Sequence, residues 1–321
     1  MQKTAPDIEG LLNEVRGDVE AALDSIPSDV LDLKSNPFSF FGKAARARFT
    51  LLLAAALDAD RARARKAAAA AELTHTASLL HDDCLDRAPS RRGLPTLYAR
   101  LGPNRAVLAG DLLVALAFDM AGRASPELQP ELAHAVRRMT EGALLEENSR
   151  GSLIGAEQAD RIAVMKTGAL FRWCGLAACH LAGNRAMLAG CARLGEETGA
   201  AFQIIDDVLD LEGEAGACGK EPLKDIKDGK ITLPLILALG DAAAGPRAKE
   251  LLAASAAAPE ADLAPALALA DLLRSGGFAA AARASAMTRL KALSAVTAGF
   301  PDREAAAALD DFLLSLGGRL C

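Results

Sequence analysis

Aromatic residues are scarce in this 321-residue chain, at 4%, with one tryptophan and one tyrosine. Positive charge does not dominate: 36 Lys and Arg stand against 42 Asp and Glu, a net charge of -6. That balance argues against general nucleic-acid binding, which needs a basic footprint, although a small basic pocket remains open. No apolar run reaches the roughly 18–20 residues of a membrane helix, so no membrane anchor is expected. The first twelve residues carry Asp7 and Glu9 without a long apolar stretch, which does not fit a signal peptide. The six cysteines (84, 174, 179, 191, 218 and 321) include no C-x-x-C or similar metal spacing. They read as reduced thiols of a cytoplasmic protein. Alternating strand patterns of useful length are absent, and no composition shift marks a domain boundary, so residues 1–321 are expected to form one domain.

Alanine, in contrast, makes up about a fifth of the residues, far above ordinary usage. Ordering alanine in a helix takes no side-chain entropy, so an all-α protein is expected. Apolar periodicity predicts helices over about 7–24, 43–57, 61–84, 103–122, 127–150, 155–181, 186–214, 230–240, 263–274, 278–296 and 302–315. Gly and Pro clusters such as Leu101-Gly102-Pro103 and Ser275-Gly276-Gly277 separate them. The stretch 61–71 (RARARKAAAAA) reads as a helix with a solvated basic first turn and a small-residue packing face. The Ala-rich stretch 253–270 carries little information.

One pattern recurs. Asp82-Asp83-x-x-Asp86 is echoed by Asp206-Asp207-x-x-Asp210, each late in a long apolar helix and each followed by a polar loop. Residues four apart share a helix face, where two carboxylates repel. A divalent cation removes that repulsion, and Mg²⁺ keeps several waters, so one or two carboxylates per ion suffice when phosphate oxygens supply the rest. Two such stripes facing each other would hold a metal cluster around a diphosphate. A single motif of this kind is more often a solvated acidic helix end. Two of them, embedded in LLHDDCLD and FQIIDDVLD, are not.

A diphosphate also needs donors. Arg91 and Arg92 follow the first motif, and Arg matches phosphate bidentately. Lys43 and Arg46 are three apart and project from one face. Lys166-Thr167 sits inside an apolar helix, where a lysine is uncommon unless paired. Lys220 and Lys230 bracket the loop after the second motif. His75, seven residues before Asp82, lies on the same stripe.

Taken together, GKAAR (42–46), ELTHTASLLHDDCLDRAPSRRG (72–93), KTGALF (166–171), GAAFQIIDDVLD (199–210) and GKEPLKDIKDGKITLP (219–234) resemble the trans-isoprenyl diphosphate synthases, the polyprenyl synthetase family, of long-chain type. The resemblance implies a single-domain bundle of antiparallel helices around a deep central cavity (the isoprenoid synthase type I fold), working as a homodimer. It implies condensation of isopentenyl diphosphate with an allylic prenyl diphosphate, assisted by three Mg²⁺. By that resemblance Asp82, Asp83, Asp86, Asp206, Asp207 and Asp210 form the metal motifs, with Asp82, Asp86 and Asp206 as ligands. Arg91, Lys166, Gln203, Lys220 and Lys230 would hold the allylic diphosphate. Lys43, Arg46, His75 and Arg92 would hold the isopentenyl diphosphate, and Thr167 and Phe202 would line the reacting isoprene. The family's usual Gly-Gly-Lys-Arg-x-Arg-Pro reads Phe41-Gly42-Lys43-Ala44-Ala45-Arg46-Ala47 here. Its middle-helix Gly-Gln or Gly-Glu reads Gly142-Ala143.

Small residues at Thr74, Ala77 and Ser78, before the first motif, predict an open path for the growing chain. The expected product is therefore of geranylgeranyl length or longer, since a packed interior does not yield to an extra isoprene. The alternatives are a type I terpene cyclase and a non-catalytic subunit of a heteromeric synthase. Both aspartate motifs and the second basic cluster speak against them.

Overall fold

The computed structural model describes residues 7–33, 35–38, 40–212, 223–259 and 262–318. Lys220, Cys218 and Cys321 lie outside these residues. The described chain is helical almost throughout. Its first helices are α1 (Ile8–Asp24), α2 (Ala45–Ala56) and α3 (Arg61–Leu85), followed by a small hairpin of β1 (Ser90–Arg91) and β2 (Leu94–Pro95). Next come α4 (Leu97–Leu101), α5 (Pro103–Ala124), α6 (Leu128–Asn148), α7 (Ala156–Ala163), α8 (Ala169–Leu181) and α9 (Leu188–Glu212). The last are α10 (Lys224–Lys227), α11 (Leu233–Gly240), α12 (Gly245–Ala257), α13 (Ala264–Ser275), α14 (Phe278–Ala292), α15 (Ser294–Thr297) and α16 (Arg303–Gly317). These residues fall into two compact units. One takes those within Met1–Arg137, Leu170–Gly195 and Ser294–Phe312; the other takes those within Arg138–Ala169, Glu196–Leu293 and Leu313–Cys321. Four of the borders cut α6, α8, α9 and α16 rather than linkers, which is why no composition shift marks them.

In the first unit, Asp60 caps α3 by accepting from Arg63 N–H at 2.8 Å. The basic first turn pairs with α1: Arg61 with Glu14, and Arg65 with Glu14 and Asp18. Ala67 to Ala71 are wholly buried, and five consecutive residues span the whole circumference, so α3 is packed on every side here and not on one face as the pattern predicts. Small side chains let α2 and α5 lie close along α3. The core then closes around Phe49 and Phe171, edge to face at 5.6 Å, and Trp173, whose Nε1–H donates to the Leu128 carbonyl. The described cysteines, Cys84, Cys174, Cys179 and Cys191, are unbridged.

The hairpin is the part of this unit that pattern reading misses. Its strands are two residues long, too short for an alternation to register, and Ser90 pairs with Pro95 and Arg91 with Leu94. The Arg92-Gly93 turn between them has φ of 52° and 76°, the positive pair of a type I′ turn. Gly93 takes its place there without strain; Arg92 is held there by its surroundings.

In the second unit the helix expected at 155–181 is interrupted. Val164–Gly168 winds as a π turn between α7 and α8, and Lys166 and Thr167 lie in it. Such single-turn bulges concentrate at functional sites. Gly142 of α6 and Gly199 of α9 flank it: a Cβ on Gly142 would meet Lys166 N at 2.5 Å, and one on Gly199 would meet Gly168 Cα at 2.6 Å. The span Ala156–Leu181 is long and apolar enough to cross a bilayer, yet 83% of its most apolar window is buried in the protein. The uninformative stretch 253–270 splits into the end of α12, a connection and α13. A helix at 245–257 was not expected; Pro246 at its start presets the first turn.

Candidate active site

The first aspartate motif ends α3. Asp86 is the helix's C-terminal cap, its N–H bonded to the Asp82 carbonyl at 2.8 Å. Asp82 and Asp86 are half-buried on the stripe that also carries His75. Asp83, about 100° round the helix, turns inward. It is 3% exposed, and its Oδ1 accepts from both Nε and Nη2 of Arg91, at 2.9 and 2.7 Å. Asp83 anchors the hairpin through Arg91 and does not join Asp82 and Asp86 on their stripe. Arg91 is committed to Asp83 on two of its nitrogens.

The second basic residue of the hairpin goes elsewhere. The Arg92 guanidinium lies over Gly42, where a Cβ would meet Nη2 at 2.4 Å, so a side chain at 42 would push the guanidinium aside. Arg46 is nearly buried and sits over the Phe171 ring at 5.1 Å. Between them is a residue the sequence reading passed over. Glu72 of α3 is 2% exposed, and its Oε1 accepts from Ala47 N–H at 2.9 Å. Burial pushes its carboxyl above the ordinary range, while Arg46 and Arg92 pull it back. The structure thus gathers Gly42, Arg46, Glu72 and Arg92 into one charged cluster. Lys43 is exposed nearby in sequence, and Ala44, where the family pattern has Arg, takes φ 49° and starts α2 two residues later than expected.

The face expected to guide the growing chain is largely closed. Thr74 is 2% exposed with its hydroxyl bonded back to the Ala70 carbonyl, and Ala77 is 0% exposed. Neither lines open space. Ser78 is half-buried, its Oγ donating to the His75 carbonyl. Ala77 continues the buried stretch of α3 that begins with the alanine run.

In the second unit, Gln203 joins the π turn to the second motif. It accepts from the Thr167 hydroxyl at 2.6 Å and donates to Asp207 Oδ1 at 2.8 Å. Asp210 accepts from the backbone N–H groups of Lys224 and Asp225 and so caps α10. Lys166 Nζ bonds to Glu146 Oε2 at 2.5 Å, and Lys230 Nζ lies 3.3 Å from Asp225 Oδ1. Burial pushes Glu146 up, but Lys230, Lys166 and Arg150 outweigh it and hold its carboxyl below the usual value. Asp207 goes the other way. Burial, together with Asp225, Asp206 and Glu146 nearby, drives its carboxyl well above the ordinary range. Phe202 and Asp206 are half-buried on α9. These groups border a cavity of about 380 Å³ whose wall includes Glu146, Lys166, Gln203, Asp207, Asp225 and Lys230.

Glu146 and Asp225 were not expected. The unpaired look of Lys166 in an apolar helix was the signal for Glu146, and Asp225 lay inside the quoted 219–234 segment. The donor set suits a hard divalent cation. Hard carboxylate oxygens stand at i and i+4, and Asp207 sits among carboxylates whose mutual repulsion such a cation would relieve. Among the described residues no three His, Cys, Asp or Glu side chains form a ready-made metal centre.

Comparison with known proteins concerns the chain as a whole. The family described as Polyprenyl synthetase matches residues 32–269. The nonaprenyl diphosphate synthase of Mycobacterium tuberculosis is 34% identical over 286 residues, covering 88% of this chain and 85% of that one. The geranylgeranyl diphosphate synthase of Sulfolobus acidocaldarius is 33% identical over 247 residues, 72% of this chain and 74% of that one. A polyprenyl synthase of Caulobacter crescentus, solved with calcium and isoprenyl diphosphate, superposes with a TM-score of 0.88 at 29% identity over 99% of this chain and 100% of that one.

Proposed function

Because the chain belongs to the polyprenyl synthetase family and is an all-α trans-prenyltransferase, we propose that it condenses isopentenyl diphosphate with an allylic prenyl diphosphate, and that its product is of geranylgeranyl length or longer. The observation that carries the reading is the cavity wall where Lys166 and Lys230 stand among Glu146, Asp207 and Asp225. Ammonium groups held at the edge of buried carboxylates suit a diphosphate whose charge must be withdrawn as its bond to carbon breaks.

The chemistry asks little covalent work of the protein. The allylic C–O bond breaks, the double bond of isopentenyl diphosphate supplies the electron pair for the new C–C bond, and a proton leaves with the released diphosphate. Lys166 and Lys230 stabilise the leaving charge. Thr167 and Gln203, tied to each other and to Asp207, fix that wall in place. Arg46, Arg92, Lys43 and His75 hold the second diphosphate, with Glu72 balancing the two arginines. Asp82 and Asp86, and Asp206 on α9, would hold Mg²⁺, which acts as a Lewis acid on phosphate oxygens when bound. We further expect a homodimer, for which the exposed Val107 and Leu108 of α5 offer apolar surface.

The test is incubation of purified protein with labelled isopentenyl diphosphate, farnesyl diphosphate and Mg²⁺, resolving products by length, with size-exclusion chromatography for the oligomer. Elongated prenyl diphosphates that vanish with chelator are the expected result. Diphosphate release without elongation from any primer would overturn the reading in favour of a cyclase.

A further inference from the structure

We propose that Arg289 of α14 is a positioning residue for the condensation put forward above: by holding Asp160 of α7 and Glu197 of α9 together, it fixes the π turn that presents Lys166 to the allylic diphosphate. The role rests on that reading of the function. The sequence of α14 sets the direction of the arginine. Ala279, Ala282, Ala286 and Leu290 are buried, at i, i+3, i+7 and i+11, so one face of the helix is packed. Ser285 and Arg289, four apart, share a face beside it, and both line the cavity. From there the guanidinium reaches two other helices. Its Nη1 donates to Asp160 Oδ1 at 2.5 Å, and its Nε lies 3.1 Å from Glu197 Oε2. The Arg289 side chain is 24% exposed. Burial works against its charge, but Asp160 and Glu197 outweigh it and raise its basicity. A guanidinium donates in fixed directions from a rigid plane, so two carboxylates bound to one are held at a set spacing.

The clasp acts where the wall has least support of its own. Asp160 stands one helical turn before the π turn of Val164–Gly168, and Glu197 stands six residues before Gln203 on α9. A π turn breaks the regular i to i−4 ladder, so α7 does not take its direction rigidly from α8. Within the turn, Thr167 donates its hydroxyl to Gln203 at 2.6 Å. A single hydrogen bond leaves the segment free to pivot about it. The bridge from Asp160 through Arg289 to Glu197 adds a second attachment to α9. Lys166 lies between the two in sequence, and its Nζ reaches Glu146 at 2.5 Å from that held position. Precision of this kind matters to rate: a misplacement of about 1 Å at a reacting centre costs about 10²-fold.

The experiment measures kcat and both KM values for wild type, Arg289→Met, Arg289→Lys and Asp160→Asn, with unfolding midpoints alongside. It repeats Arg289→Met in a Lys166→Gln background by single-turnover kinetics with labelled isopentenyl diphosphate and farnesyl diphosphate. Arg289→Met is expected to lower kcat by about tenfold or more, with KM for isopentenyl diphosphate within about twofold of wild type, because the leaving charge that Lys166 meets develops only in the transition state. Arg289→Lys, which meets one carboxylate at a time, should recover part of that loss. Asp160→Asn weakens one arm while Glu197 still holds the guanidinium. It should lower kcat in the same direction, and it keeps the test decisive if Arg289→Met does not fold. In the Lys166→Gln background the loss of Arg289 should cost little more, since both changes remove one interaction; a purely structural loss would lower the rate by the same factor in either background. Wild-type kcat in both Arg289→Met and Asp160→Asn would overturn the proposal, as would full additivity with Lys166→Gln. A wild-type protein that elongates nothing would overturn the function reading itself, a result distinct from any of these.

Discussion

Replacing Glu72 separates the packing of the basic cluster from its charge. In Glu72→Ala, the Ala47 N–H loses its acceptor inside the protein, and an unsatisfied buried donor costs about 1–3 kcal/mol. Arg46, 8% exposed, loses the carboxylate's charge in this variant as it does in Glu72→Gln, so the orphaned donor is what sets the two variants apart. Glu72→Gln keeps the shape and an oxygen for Ala47 N–H but removes the charge. Burial holds the Glu72 carboxyl above its ordinary value in the folded protein, so its protonated form favours folding. That contribution is complete at pH below the unfolded value of 4.5 and is lost as pH rises through the folded value. The glutamine variant has no such loss. At neutral pH it should therefore unfold close to wild type, well above the alanine variant in urea midpoint. Its kinetic defect should fall on KM for isopentenyl diphosphate, with KM for the allylic substrate little changed. Equal unfolding midpoints for the alanine and glutamine variants would refute the reasoning.

Other perturbations probe neighbouring points. Ala47→Pro removes the N–H that Glu72 accepts; in the first turn of α2 proline is sterically tolerated, so the expected loss in urea unfolding is about 1–3 kcal/mol from the orphaned acceptor. Glu146 is held below its ordinary value by Lys230 and Lys166, so the stability it brings is present above pH 4.5 and fades as pH falls. Glu146→Gln should flatten the acid limb of an unfolding-midpoint profile between pH 7 and pH 3 (steps chosen across roughly the carboxylate range). Gly199→Ala places a Cβ against Gly168 Cα at 2.6 Å; overpacking of this kind costs about 1–3 kcal/mol, and kcat should drop with it as the Thr167–Gln203 bond shifts.

The helices were legible because alanine abundance and apolar periodicity act locally, and local propensity agrees with tertiary packing along most of this chain. Where the two diverge, the reading failed. The π turn at Val164–Gly168 has no sequence signature; it follows from Gly142 and Gly199 letting two helices close on one segment. The hairpin at 90–95 is fixed by its turn and by Arg91 reaching Asp83, neither of which is periodic. Ala77 looked like a cavity residue because it is small and near Asp82. Size says nothing about whether a position borders space, and α3 is packed on every side through Ala67 to Ala71.

Lys166 shows where the limit falls. Its place in an apolar helix demanded a counter-charge, and that much follows from sequence alone. Choosing between Glu146 and Glu147 does not. The two differ by about 100° around α6, and only the packing of that helix decides which turns inward. Glu146 does, with a side chain 21% exposed against Lys166, whereas Glu147 is 50% exposed and pairs with Arg150. Only the carboxylate that turns inward shares the cavity wall with Lys230, Asp207 and Asp225, and so the rotation of α6 determines which acid tunes the diphosphate end. A one-residue change of register in α6 would leave every motif intact and remove that acid from the wall.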